Sequence, residues 1–454
     1  MAFRTPGTAS LSRELLKTRA APLLGLVVAS TLVVMATIKD ARDSAWDRAT
    51  PLPEGRTIAG VGTSRASLTR TIEQMTARLS ARPDDGEAAV LLAESLVRVQ
   101  RVNSDGRAVI AAEHHLRAFL KRGPGHYAAR RMLGTVLLSA HRFGDAIAEA
   151  NKASERDPRD AWNYGTMGDG YLELGDYDRA FAAFDTMGRL KPGPPAYARV
   201  AYALELRGDL PGALEYMRRA ADGTTPNDQE LQAWLFTQIG HLQLQQGRVG
   251  DARREFERAE VTFPGHPLAV DGIARIKIVE GHLAAARQLY QEQLATMPTP
   301  DVAAVVGDLM TATGDLASAE RYYRMSEQIE LAGWGDGARQ PQVLARFLAE
   351  RNRDIPRAVA LADEAASARH DIFTLDTQAW AYFKAGRLPE AGPIAQQALR
   401  TGTRDARLLY HAAEIAAANG DRNRALETLN RIPAPDAVAD LHVAAGIVSL
   451  RRRL

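Results

Sequence analysis

The chain has 454 residues, of which 46% are hydrophobic, 25% are charged and only 6% are aromatic. It contains no cysteine, which excludes disulfide bonds, thiolate metal sites and a cysteine nucleophile. The 57 Lys and Arg residues nearly balance the 55 Asp and Glu residues, for a net charge of +2. This balance argues against a dedicated nucleic-acid-binding protein, which usually presents a basic surface.

The N-terminal region carries a membrane signal. Residues 1–19 are basic, and residues 20–38 are uncharged and apolar. About 20 apolar residues cross a bilayer as one helix, so residues 20–38 are predicted to be a transmembrane signal anchor. The preceding basic residues place the N-terminus in the cytoplasm and the rest of a bacterial chain in the periplasm, as a single-pass inner-membrane protein. The alternative is a cleaved signal peptide that releases a periplasmic protein.

Residues 39–63 are rich in Pro and Gly and show no apolar period, which is typical of a linker. Residues 64–85 then place Leu68, Ile72 and Met75 on one helical face, as expected for a leading helix or half-repeat.

A repeat fills residues 86–433. Pro158 and Pro192 lie 34 residues apart, and large and small residues recur at fixed spacings between them. The residues that carry this unit are Tyr164, Met167, Gly168, Tyr171, Ala180 and Phe184. The same frame recurs along the chain about ten times, with a Gly-Asp or Gly-Arg turn between two helical segments and irregular units near residues 101–106 and 333–337.

In this pattern the chain resembles the tetratricopeptide repeat (TPR) family. The resemblance implies an all-α fold, a right-handed α-solenoid of about ten helix-turn-helix units, here preceded by the transmembrane helix. Residues 434–454 are predicted to form a C-terminal capping helix, which is unusually apolar for a solvated cap and either tucks into the last groove or docks on another surface.

The resemblance also implies a binding groove on the concave surface, lined by the first helix of each repeat. Exposed Trp and Tyr side chains in such a groove are typical anchors for a protein or peptide partner. The alternative for each aromatic residue is packing against the neighbouring repeat. The predicted partner-binding residues are Arg131, Trp162, Asp169, Tyr202, Trp234, His241, Arg275, Asp308, Trp380, Phe383 and Tyr410.

No pattern in the sequence indicates catalysis. His114 and His115 lack the spacing of a zinc-binding motif, and neither a phosphate-binding loop nor a serine nucleophile motif occurs. A catalytic domain needs on the order of 100 residues, and the repeats leave no such gap. We therefore expect no enzyme activity, no catalytic, metal-binding or cofactor-binding residues, and no small-molecule cofactor.

The sequence thus predicts a membrane-anchored scaffold that binds a protein or peptide partner and assembles or regulates a bacterial envelope complex. No nucleic-acid partner is expected. The alternatives are a secreted periplasmic TPR protein and a non-catalytic subunit of an envelope enzyme, transport or secretion system.

Overall fold

The computed structural model describes residues 64–103, 106–335 (backbone only at 334 and 335) and 339–454. The predicted transmembrane segment 20–38 and linker 39–63 lie outside the described residues. Among the helices that the structure does describe, none combines the length and apolar character needed to cross a membrane.

All regular structure in the described residues is helical, with 22 α-helices and one short 3-10 turn. A leading helix, α1 (Arg65–Ala81), precedes ten helix pairs, and α22 (Leu441–Arg453) follows them. The pairs, repeats 1 to 10, are α2 (Gly86–Asn103) and α3 (Gly106–Arg122); α4 (Tyr127–Ser139) and α5 (Phe143–Arg156); α6 (Ala161–Leu174) and α7 (Tyr177–Leu190); α8 (Pro194–Leu206) and α9 (Leu210–Asp222); α10 (Gln229–Gln245) and α11 (Val249–Thr262); α12 (Pro267–Val279) and α13 (Leu283–Thr296); α14 (Pro300–Ala312) and α15 (Leu316–Gly335); α16 (Pro341–Glu350) and α17 (Ile355–Ala368); α18 (Ile372–Lys384) and α19 (Leu388–Ala398); α20 (Ala406–Ala418) and α21 (Arg422–Asn430).

Small residues set the distance between the two helices of a pair. A Cβ atom added at Gly168 would lie 2.4 Å from the ring of Phe184, so only glycine lets that ring pack between α6 and α7. Ala180, on the facing helix, is fully buried. The alternation of small and large residues in the sequence is therefore the packing of one helix pair, repeated along the chain.

The predicted Gly turns are confirmed. Gly175 ends α6 with φ of 83°, a left-handed conformation in which other residues are strained. Its backbone N–H bonds to the carbonyl of Leu172, which the helix leaves unpaired. In repeats 2 and 8 His141 and Asn352 take the equivalent left-handed position.

Repeats that are distant in sequence contact each other. Arg65 of α1 donates hydrogen bonds to the carbonyls of Pro264 and Gly265, 199 and 200 residues away. Repeat 3 meets the start of repeat 9 in the same way, because the Tyr177 hydroxyl accepts a hydrogen bond from the backbone N–H of Ile372 at 2.9 Å. These contacts join successive turns of the solenoid.

Candidate functional site: the surface of the first helices

The first helices of several successive repeats contact one another, as α2 and α4, α10 and α12, and α16 and α18 do. Their side chains therefore form a surface that crosses repeat boundaries. We call it the inner surface, and all eleven predicted partner-binding residues lie on these helices.

An Arg-Trp pair marks the inner surface at repeats 2 and 3. The guanidinium of Arg131 lies 5.4 Å from the ring centroid of Trp162 and 3.0 Å from a carboxylate oxygen of Asp160. The indole N–H of Trp162 donates a hydrogen bond to the hydroxyl of Thr135 at 2.9 Å. Arg131 and Trp162 are half-buried, so part of each side chain faces solvent. We call Arg131, Trp162 and Asp169 the N-terminal cluster.

Asp169 completes this cluster from two turns further along α6. Its carboxylate binds Arg199 of α8 at 2.6 Å, across the junction of repeats 3 and 4. The two side chains are 30% and 22% exposed, which leaves the ion pair accessible to solvent and weak in its contribution to stability.

The middle of the inner surface shields its ionisable side chains from water. Tyr202 packs against the main apolar core, and Trp234 is half-buried on α10. Beside Tyr202, burial raises the pKa of Glu205 to about 7, although the amide of Gln245 donates a 2.7 Å hydrogen bond that favours its charged form. Glu205 therefore titrates close to neutral pH.

His241 and Arg275 lie on neighbouring first helices. The imidazole of His241 packs edge-on against Phe256 at 5.0 Å, and burial lowers its pKa to about 4, so it is neutral at pH 7. Arg275 binds Asp271 at 2.7 Å, and the hydroxyl of Tyr290 donates to the other oxygen of that carboxylate at 2.8 Å.

Asp308 of α14 is a buried carboxylate with three partners. Arg351 binds it at 2.6 Å, the Tyr323 hydroxyl donates to it at 2.9 Å, and His442 binds it at 2.8 Å. Burial favours its neutral form, but the hydrogen bond of His442 and the charge of Arg351 outweigh burial, and the pKa of Asp308 is lowered. Asp308 is therefore ionised and its charge is neutralised internally.

Trp380 of α18 is enclosed by other rings. It stacks on His411 at 3.9 Å and on Phe383 at 4.8 Å, and Tyr410 approaches it at 5.8 Å. His411 also binds the carboxylate of Asp376 at 3.0 Å. The Trp380 side chain is only 5% exposed. We call Asp308, Trp380, Phe383 and Tyr410 the C-terminal cluster.

The C-terminal segment contacts two members of this cluster, Asp308 and Tyr410. Residues 434–454, the tail, lie against first helices of repeats 5, 6, 7 and 10. Ala437 joins the apolar cluster of Leu244 and Ile276, and α22 contacts α14 and α20. The predicted capping helix therefore does more than close repeat 10, because it also covers repeat 7.

The structure thus separates the eleven predicted residues by exposure. Nine are half-buried, whereas Asp308 and Trp380 are buried. For Trp380 the alternative of packing against the neighbouring repeat is what the structure shows, because His411 of repeat 10 covers its ring. Trp380 is therefore not an outward-facing anchor in this structure. Whether any of the eleven residues binds a partner stays a prediction.

Sequence reasoning missed Arg351 and His442, which hold Asp308 from 43 and 134 residues away. No local pattern pairs these residues. Within the described ranges no three His, Asp or Glu side chains are grouped as a metal ion would require.

The sequence model described as Tetratricopeptide repeat matches residues 111–161, 166–228, 237–298 and 377–439, together more than half of the chain. The chain belongs to the tetratricopeptide repeat family. Proteins of this family bind protein partners on helical scaffolds. No curated protein matches the chain in sequence.

Several solved structures are similar to the TPR chain. The human IFIT1 dimer with m7Gppp-AAAA is 16% identical over 74% of this chain and 77% of its own, with a TM-score of 0.48. A tetratricopeptide repeat protein from Parabacteroides merdae is 18% identical over 57% of this chain and 98% of its own, with a TM-score of 0.32. Yeast Tom70 is 12% identical over 86% and 85%, with a TM-score of 0.35. At these scores the similarities indicate no ligand or partner for this chain.

Proposed function

We propose that this TPR protein is a non-catalytic scaffold that binds a protein or peptide segment on its inner surface. In this proposal residues 20–38 anchor it in the inner membrane of a bacterium, and the repeats lie in the periplasm, where they assemble or regulate an envelope complex. It uses no cofactor and binds no nucleic acid.

The observation that supports the proposal best is the N-terminal cluster. Arg131, Trp162 and Asp169 place a cation, an indole ring and a carboxylate on two adjacent first helices, all partly open to solvent. Partly buried Trp and Arg side chains are the residue types that dominate binding energy in protein interfaces. Membership of a family whose members bind proteins supports the same function.

Affinity capture with the full chain, solubilised in detergent, tests partner binding. Arg131→Glu reverses one charge of the N-terminal cluster at a half-buried position, and Arg218→Glu makes the same change at an exposed position of the second helix α9. We expect wild type and Arg218→Glu to capture the same protein and Arg131→Glu to lose it. Equal capture by all three chains would contradict binding at this cluster.

A fusion at the C-terminus tests the location. A phosphatase that is active only in the periplasm should be active there, and a reporter that works only in the cytoplasm should be silent. The opposite result would contradict the membrane topology and would leave the binding proposal standing.

A further inference from the structure

The tail follows the inner surface as a bound peptide would. From the end of repeat 10, its Ala434 and Ala437 reach the apolar cluster of Leu244 and Ile276 in repeats 5 and 6. The helix α22 then contacts α14 of repeat 7 and α20 of repeat 10. The tail therefore occupies a stretch of the surface that the repeats offer to a partner.

Two charged contacts hold the ends of α22. In both, the basic residue belongs to α22 and the carboxylate belongs to the repeats. His442 binds Asp308 at 2.8 Å, and Arg453 binds Glu414 at 2.5 Å. The side chains of Asp308 and Glu414 are each only 9% exposed. The inner surface thus presents two enclosed carboxylates to basic residues about 16 Å apart on a helix.

Between these ends α22 uses one apolar face. Val443, Ile447 and Leu450 are buried, whereas Val448 on the opposite face is 50% exposed. Gly446 lies against the ring of Tyr410, where an added Cβ atom would come within 2.2 Å. The surface therefore selects a helix with one apolar face and a very small residue at its centre.

The fit beneath the start of α22 is incomplete. A cavity of about 150 Å³ is lined by Asp440 and Leu441 of the tail and by Arg275 and Arg351 of the repeats. Most of the residues that line it, such as Ala304 and Phe347, belong to the repeats. The tail is held by its two charged contacts and by apolar side chains that include Val443, Ile447 and Leu450.

We propose that the tail is a displaceable internal occupant of the inner surface, and that the partner segment which replaces it is a short amphipathic helix with a basic residue at each end. This inference rests on the proposed scaffold function and names the chemistry of the partner. The tail belongs to the same chain as its site and competes with a partner for it. The apparent affinity for a partner is therefore the intrinsic affinity multiplied by the fraction of molecules in which the site is free.

Binding of a peptide with the sequence of the tail measures whether the tail can leave its site. The probe is a fluorescent peptide of residues 436–454, and its binding to the full chain is followed by fluorescence anisotropy. In wild type the chain's own tail competes with it. The variant Gly446→Leu inserts a side chain against Tyr410 and should expel the tail while leaving the ten repeats unchanged.

The matched control is Ala445→Leu, which adds the same side chain one residue away on the exposed face of α22. We expect the peptide to bind Gly446→Leu at least tenfold more tightly than wild type or Ala445→Leu. A peptide that itself carries Gly446→Leu should not bind. Equal peptide affinity for the two Leu variants would overturn the proposal.

A second variant guards against misfolding caused by the bulky side chain. The double change His442→Asp and Arg453→Glu places carboxylates opposite Asp308 and Glu414, so repulsion expels the tail without a steric clash. It should also bind the unmodified peptide at least tenfold more tightly than wild type. Concentration-dependent dimers with no gain in peptide affinity would assign the site to the tail of a second copy and would overturn the proposal.

The captured partner separates the two proposals. If wild type captures a partner but Gly446→Leu binds the tail peptide no more tightly than wild type, tail displacement is wrong and the scaffold function stands. If the opened variants bind the tail peptide but no chain captures a partner through the N-terminal cluster, the scaffold function fails and the occupied site stands.

Discussion

The N-terminal and C-terminal clusters each place a Trp and an Asp on first helices, yet the surroundings of these residues differ. In the N-terminal cluster Trp162 is half-buried and its N–H bonds to Thr135. In the C-terminal cluster Trp380 is enclosed by His411 and Phe383, and among the described residues its N–H has no hydrogen-bond partner. The repeat pattern therefore fixes where a side chain lies, while the rings packed around it decide whether a partner can reach it.

The largest expected difference between the clusters is in stability. Trp380→Ala should lower the free energy of unfolding by about 3–5 kcal/mol, because it leaves a cavity among packed rings. Trp162→Ala should cost about 1–2 kcal/mol, since the ring is half-buried and the main loss is its hydrogen bond to Thr135. Urea unfolding followed by circular dichroism gives both values, and equal losses would contradict the contrast.

Loss of an ion pair should also cost more stability in the C-terminal cluster than in the N-terminal cluster. Asp308→Ala leaves the buried Arg351 without its main partner and should cost about 3 kcal/mol. Asp169→Ala removes a solvent-accessible pair with Arg199 and should cost less than about 1 kcal/mol. Chemical denaturation compares the two variants, and a loss at Asp169 as large as that at Asp308 would show that the clusters are not distinct in burial.

Glu205 lies between the clusters. Because its pKa is about 7, its effect on the stability of the protein depends on pH. A carboxyl group whose pKa is raised by folding contributes its full stability below its unfolded pKa, near 4.5, and that stability is lost as the pH rises through the folded value. Glu205→Gln should therefore stabilise the protein by about 1–3 kcal/mol at pH 8. At pH 4 it should have little effect. Melting temperatures at both pH values test this, with Glu215→Gln at an exposed position of α9 as the control.

The smallest expected effect concerns the tail contact of the C-terminal cluster. Burial and Arg351 disfavour the charged form of His442, but Asp308 outweighs them and the pKa of His442 is raised above its ordinary value near 6.5. Asp440 also faces this imidazole and favours its charge. The contact is therefore fully present below pH 6.5 and weakens as the pH rises through the raised value, while Asp308 stays ionised.

Hydrogen exchange of the α22 amides measures this weakening. After correction for intrinsic exchange, protection should fall as the pH rises above 6.5 in wild type. His442→Gln keeps a hydrogen-bond donor without the charge and should show a flat profile. A flat profile in wild type as well would mean that His442 does not hold the tail.

The sequence predicts the fold closely because its determinants are local. Pairs such as Gly168 with Phe184, and turns such as that at Gly175, lie within one repeat and recur at a constant spacing. The same regularity places the eleven candidate residues on first helices. Their exposure was not predictable, because it depends on contacts such as that of Asp308 with His442, 134 residues apart, for which the repeat offers no signal.

The contact between repeats 3 and 9 has a consequence for how this protein can change in evolution. In an open array each repeat touches only its neighbours, so repeats can be gained or lost one at a time. Here Glu173 binds Arg369 at 2.8 Å, and the carbonyl of Leu174 accepts a hydrogen bond from the His370 N–H at 3.1 Å. Inserting or deleting one unit between them would move every such contact out of register at once. The number of repeats between these points is therefore fixed by geometry, and the chain inherits this segment as a whole.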